Sequence, residues 1–222
     1  MGMGSDGSAN HAMEDSRVAA GIGFQAAHCA HHGAPITAAL VGAMLPLMAG
    51  PTAVGARIRE WPGLPLEDAM PLRFTAGLHH LWLTGAEPRL GPVYAGELTD
   101  QAAVDAAVAA IVADHDAALL PWFDGPPQTN EAGRSASFMA GLLWLAERLG
   151  PRFALNELGA SAGINTMMDR YAYDLGGVCV GPPDSPMQIR PDWRGPPPPP
   201  GPVEIVDIAG CDIAPANLAD RD

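Results

Sequence analysis

Cysteine is scarce. Three stand in 222 residues, Cys29, Cys179 and Cys211, too few and too scattered for a disulfide framework, which points to a reducing cytoplasm. Cations are scarce too: 12 Lys and Arg face 25 Asp and Glu, a formal net charge of −13 with no basic cluster to offset it. Such a surface repels phosphate backbones and anionic bilayers, which excludes nucleic acid as a partner. A long hydrophobic run is missing. The most apolar stretch, "PITAALVGAMLPLMAG", has 16 residues with Pro46 inside, short of the roughly 20 a membrane span needs, so it reads as a bent or broken buried helix and no membrane partner is expected. The opening "MGMGSDGSANHAMEDSR" lacks the basic start and apolar core of a signal peptide, and residues 1–15 read as a disordered lead-in. There is no internal repeat, and no histidine after His115.

What is present is mostly helical up to about residue 125. "RVAAGIGFQAAHCAHHG" ends at Gly33, and Pro35 opens the next helix. "AMPLRFTAGLHHLWLTG" and "TDQAAVDAAVAAIVADHDAALLPWF" read as two more, the second capped by Thr99 or Asp100 with apolar residues at 104, 108, 111, 112 and 119. From residue 126 the pattern changes. "DGPPQTNEAGRSASFMAGLLWLAERLG" predicts a helix capped by Thr129 or Asn130, with Phe138, Leu142, Leu145 and Leu149 as its apolar stripe. "RFALNEL" predicts a short buried strand, and "GINTMMDRYAYD" a helix opening at glycines. Residues 175–202 read as an inserted hairpin, with strands near 178–180 and 187–189, followed by an extended run of prolines at 196–200. "VEIVDIAGCDIAP" predicts a second strand. The fold class is α/β and α-rich: a helical N-terminal part, 16–125, packed on an incomplete Rossmann-like sheet, 126–222.

The chemistry concentrates in "ALNELGASAGIN". Glu157 closes the strand, and Gly159, Ala160, Ser161, Gly163 and Asn165 follow, a run with little bulk. Bare backbone lets a ligand approach, and a helix start offers free N–H groups to it. The dinucleotide fingerprint G-x-G-x-x-G would need glycine at 161 and 164, where Ser161 and Ile164 stand, so nicotinamide and flavin dinucleotides are disfavoured. "GASAG" also satisfies G-x-S-x-G, which would make Ser161 a nucleophile, but every histidine precedes it and the downstream base of that arrangement is missing. A third reading makes the glycines mere strand–helix packing. Asp212, at the end of the second strand, is placed where an α/β sheet puts an acid for ribose hydroxyls.

An acid two residues before the first glycine, and glycine again four residues later, resembles the first motif of class I S-adenosylmethionine-dependent methyltransferases. Together with "PDSPMQIRPDWRG", "GCDIAPANLAD", "LHHLWLTG" and the positions Gln25, Cys29, Gly33 and Pro35, the chain resembles the bacterial domain-of-unknown-function family 2332 over nearly all of its length after the lead-in. The resemblance implies a methyltransferase-type sheet, S-adenosylmethionine as cofactor and methyl transfer to an acceptor the sequence does not disclose. It implies a cofactor site of Glu157, Gly159, Ala160, Ser161, Gly163, Asn165 and Asp212. The gap from Glu157 to Asp212 is wider than in that motif, and the 175–202 insertion accounts for the excess. Family members continue past Asp222, which implies that the chain is a fragment or that a partner, such as a second copy, completes the sheet. No catalytic residue is assigned. The alternatives are a non-catalytic binding or scaffold protein and a serine hydrolase.

Outside the turn, Gln128, Asn130, Glu131 and Arg134 crowd one helix start. Asn130, Glu131 and Arg134 are expected to line the same pocket as the glycines, with Glu131 and Arg134 alternatively a surface pair. His28, His31 and His32 share a helix face beside Cys29, but the glutamate of the zinc-helix pattern is absent and no metal is expected. His79 and His80 read as core histidines, one of them able to face a cleft. The expected partner is a small-molecule ligand.

Overall fold

The structure is a computed structural model that describes residues 6–127 and 130–217. The chain is mixed α/β with helix dominant, and it divides into two compact units, Met1–Pro127 and Gln128–Asp222. Gln128 and Thr129 lie outside the described residues.

The first unit is helical: α1 (Asp6–His31), α2 (Pro35–Gly42), α3 (Met44–Leu47), α4 (Ala53–Arg59), α5 (Met70–Leu83), α6 (Gly91–Tyr94) and α7 (Gln101–Leu119). The first helix takes in residues 6–15, which the sequence assigned to the lead-in. Gly33 stands at φ +77° where α1 ends, and Pro35 begins α2, where its missing N–H costs nothing. Pro46 sits in the four-residue α3, so the apolar stretch is a broken helix as read. Asp100 caps α7 by accepting from Ala103 N at 3.0 Å, and Val104, Val108, Ile111, Val112 and Leu119 are all buried, on the period expected. They join Val18, Ile22, Leu40, Phe74 and Leu78 in one core. Each such side chain contributes about 1.5–3 kcal/mol of transfer free energy. No helix among the described residues is long and apolar enough to cross a membrane.

His79 and His80 are not the core residues expected. His79 and His80 are exposed; His79 stacks on Trp82 at 5.6 Å and His80 tilts against Trp122 at 5.1 Å. His28 and His32 approach to 4.1 Å between ring centres, and Cys29 is buried, its sulfur bonded by Gln25. A titratable cluster gathers around one buried carboxylate. Glu87, 3% exposed, accepts from the guanidinium and amide of Arg89 and from His115 Nε2 at 3.1 Å, while Arg89 also holds Asp114 at 2.7 Å. His115 departs from helical geometry (φ −117°, ψ 18°), a kink near the end of α7. Asp116, its neighbour, accepts from the amides of Ala53 and Val54 at the start of α4.

The second unit contains α8 (Ser135–Leu149) and five short strands: β1 (Arg152–Leu158), β2 (Ala172–Asp174), β3 (Cys179–Val180), β4 (Gln188–Ile189) and β5 (Glu204–Cys211). β1 and β5 pair in parallel, with an irregularity between Phe153 and Ala154, and β2 is the centre of a second sheet of order β3–β2–β4. The expected hairpin is corrected here. The runs near 179 and 188 do not pair with each other; each pairs with β2, antiparallel for β3 and parallel for β4. The proline run is neither helix nor strand, and Pro198 is buried.

Two further expectations fail for identifiable reasons. The segment after the glycines is not an α-helix but a six-residue 3₁₀ turn, Asn165–Arg170. There the carbonyl of Ile164 is taken by the Tyr171 hydroxyl and that of Gly163 by the Thr166 hydroxyl, and the chain turns into β2 at Ala172. The apolar stripe of α8 is also misassigned. Its buried face is Ser135, Ala136, Met139, Leu142 and Leu143, packed with Met168, Tyr171, Tyr173 and Ile189, whereas Phe138 and Leu149 are 59% and 73% exposed.

The Glu87 cluster yields a pH prediction. The Arg89 guanidinium bonds hold the Glu87 carboxyl down to about 2 from its ordinary 4.5, against the opposing cost of burial, with the Arg89 amide and His115 adding to the lowering. A carboxylate with a depressed folded pKa stabilises the fold above its unfolded pKa and loses that contribution as pH falls through the folded value. Urea midpoints of wild type and Glu87→Gln should therefore differ most above about pH 5 and converge as pH falls towards 2. A gap that is constant over that range would show that ionisation of Glu87 contributes nothing.

Candidate functional site

The site is built where β1 ends. Its parallel pairing with β5 sets Glu157 beside Gly210 and Leu158 beside Cys211, so the glycine turn lies against residues 210–212. A Cβ at Gly210 would stand 2.6 Å from the Ala160 Cβ and 3.0 Å from a Thr166 carbon, which is why that strand position is bare. Gly159, Ser161 and Gly163 all adopt positive φ, at +74°, +52° and +73°. For a serine this left-handed conformation costs on the order of 1–2 kcal/mol.

The amides of this turn are spent inside the protein. Gly159 N and Ala160 N both donate to the Cys211 carbonyl, at 2.9 and 3.0 Å, and Gly163 N donates to that of Ala160 at 2.7 Å. Ser161 N donates to Asp212 Oδ2 at 2.8 Å, and Ala214 N to Oδ1 at 2.9 Å. Those amide bonds, from Ala214 and then Ser161, hold the Asp212 carboxyl below its ordinary pKa. The cradle of free N–H groups expected from the sequence is therefore not built at 159, 160, 161 or 163, and the 3₁₀ turn that follows supplies no helix start.

Two cavities flank the turn. The larger, about 610 Å³, runs along the end of β1: consecutive residues Leu155, Asn156, Glu157, Leu158 and Gly159 form one wall. Another wall is α8, through Phe138, Gly141, Leu142 and Leu145, with Arg134 just before that helix, and Asn165 and Ile208 also contribute. The smaller, about 240 Å³, is lined by Ala160, Ser161, Gly163, Cys211 and Asp212 among others. The predicted site residues are thus sorted onto two faces. Glu157, Gly159, Asn165 and Arg134 share the large cleft; Ala160, Ser161, Gly163 and Asp212 share the small one. Asp212 is not on the cleft that Glu157 lines. Glu131 is exposed and lines neither.

Asn130 does not cap a helix. Its side chain reaches the turn, where Nδ2 donates to the Ala160 carbonyl at 2.8 Å and Oδ1 accepts from Asn165 Nδ2 at 3.0 Å. Asn165 Nδ2 also donates to Glu157 Oε1 at 3.2 Å. Of the three residues expected beside the glycines, Asn130 bonds to the turn without lining either cavity, and Arg134 lines the large cleft. Glu157 Oε2 and Asn165 Oδ1 are buried with no donor, a cost of about 1–3 kcal/mol each while they stay unmet. Sequence reasoning missed Phe138, Leu142 and Leu145 as cleft wall, because an apolar stripe at helical spacing has the same pattern whether it faces a core or a cleft. Asn156, a polar residue inside an apolar strand, was the readable signal for the other wall.

The family model described as an uncharacterised protein conserved in bacteria (DUF2332) matches residues 19–222. The chain belongs to this family. No curated protein and no solved structure matches it. Within this DUF2332 chain Ser161 has the left-handed backbone of a nucleophile elbow, but no histidine stands in Gln128–Asp222 and Asp212 binds the serine's own amide rather than a base. A fluorophosphonate probe should leave Ser161 unlabelled, and Ser161→Gly should raise stability by about 0.5–1 kcal/mol by relieving the left-handed strain. Specific labelling at Ser161 would assign it a nucleophile's role.

Proposed function

We propose that the large cleft binds S-adenosylmethionine or a similar adenosyl ligand, and that the protein is a methyltransferase-like domain serving an acceptor yet to be identified. The observation that carries this reading is the cleft at the carboxyl end of β1, where α/β sheets bind ligands. Its volume falls in the range of small-molecule sites, about 300–1,000 Å³. The residues fit such a ligand on two counts. Gly159 leaves open space where a Cβ would point, and two buried acceptor oxygens on Glu157 and Asn165 lack donors. Apolar surface from Phe138, Leu142 and Leu145 suits the uncharged faces of the ligand. Glu157, Gly159 and Asn165 would hold the group; Ala160, Ser161, Gly163 and Asp212 shape the turn from its other side.

The bound group supplies a methyl on a sulfonium for transfer to a nucleophile. The chain's contribution is alignment and exclusion of water, both of which act on a methyl transfer without a dedicated acid or base. The spent turn amides and the place of Asp212 on the smaller cavity favour a second reading, a non-catalytic binding or scaffold protein with a degenerate turn. Titration calorimetry separates the two. Saturable binding of S-adenosylmethionine and S-adenosylhomocysteine, weakened by Asn130→Ala or Arg134→Ala more than folding is, is the expected result. Absence of binding to either would favour the scaffold.

A further inference from the structure

None of Pro196–Pro200, in the connection from β4 to β5, lines either cavity. Covalent geometry dictates the shape of this run. Each ring fixes φ at about −65°, and each residue that precedes a proline, here 196–199, is pushed out of the helical region. What remains is the extended, left-handed polyproline II conformation, with about three residues per turn. Residues three apart share an edge, and burial follows that period. Pro198 is buried; Pro197 and Pro200 share an exposed edge, while Pro196, exposed, and Pro199, half-buried, share the other. The run is held at both ends. Trp193 Nε1 donates to the Pro196 carbonyl at 3.1 Å, and its ring lies so close over Gly176 that a Cβ there would stand 2.6 Å from it. Beyond the run, Val203 and Ile205 pack against the core of the unit, and Glu204 N donates to the Pro151 carbonyl at 2.7 Å.

We propose that this run is a docking ridge for a partner protein whose groove is lined by Tyr and Trp side chains and flanked by carboxylates. The rings fit between aromatic faces, and a proline backbone, lacking N–H, presents carbonyls alone to indole and phenol donors. With Pro198 turned into the unit, the two outer edges are the ones offered to the groove. The ridge is already in its bound conformation, so binding is spared the ordering cost of a loose segment. Charge selects the flank of the groove. Arg190 and Arg194 precede the run with only Asp192 between them, a local excess of cation in a chain of net charge −13. That net charge turns an acidic surface away elsewhere, so the arginines mark where it approaches. Arg194 is 88% exposed and its partner Asp192 83%, a solvent-screened pair that a carboxylate of the groove can replace. Docking here is independent of what the cleft binds.

The test is calorimetric titration of the full chain with a purified SH3 domain of the type that takes arginine-flanked proline ligands, whose groove has this chemistry. Wild type should bind it saturably at one site. Pro197→Ala combined with Pro200→Ala, which strips the exposed edge, should weaken binding by about tenfold or more. Arg194→Glu, which reverses the flanking charge, should weaken it to a similar extent, and added salt should weaken wild type more than this variant. All three positions are exposed, so both variants should keep the thermal unfolding midpoint of wild type. Absence of saturable binding by wild type, or binding that both variants leave unchanged, would overturn the proposal and leave the run a spacer between β4 and β5.

Discussion

The second unit depends on one pairing. β1 and β5 run parallel although about 50 residues separate them, and this contact alone brings the acid of one strand end beside the glycine and acid of the other. Cys211's carbonyl receives two successive amides of the turn, and Asp212 receives the third. Those bonds satisfy backbone that would otherwise be stranded where the strand ends. They also decide what the turn can do. Amides already bonded inward are not open to an anion, and on the reading proposed above recognition falls to side chains on the other side of β1.

That shift matches the polarity of the large cleft. It is walled largely by apolar residues, Phe138, Leu142, Leu145, Leu155 and Ile208, with Arg134, Ser137, Asn156, Glu157 and Asn165 as its polar lining. A ligand with an apolar body and a cationic donor finds complementary partners, which is the chemical basis for proposing an adenosyl sulfonium or its demethylated product. The overall charge of −13 acts in the same sense, repelling polyanions over the whole surface.

Much of the scaffold was legible in the sequence. The core face of α7, the broken α2–α3 stretch, the Gly33–Pro35 punctuation and both strands of the parallel pair appear where periodicity and turn chemistry put them. The failures have a common cause: tertiary partners overrode local preference. Asn130 has the chemistry of a helix cap, but the Ala160 carbonyl and Asn165 claim both ends of its amide. The expected helix after Gly163 gives way to a 3₁₀ turn, in which the Gly163 and Ile164 carbonyls take amides three residues on together with the Thr166 and Tyr171 hydroxyls. Two-residue strands carry almost no pairing information, so β3 and β4 were matched to each other instead of to β2. Of the site, the sequence located the turn and its acids, but not their division between two cavities, which follows from the turn folding back onto residues 210–212 through bonds between residues about 50 apart in the chain.

The account stands on the cleft beside β1 being the ligand seat. Hydrogen–deuterium exchange of the full chain, with and without saturating S-adenosylhomocysteine, addresses this directly. The expected outcome is slowed exchange in residues 134–145 and 155–159, the two walls of that cleft. Slowing confined to residues 210–216, or no change in either wall at saturation, would contradict it.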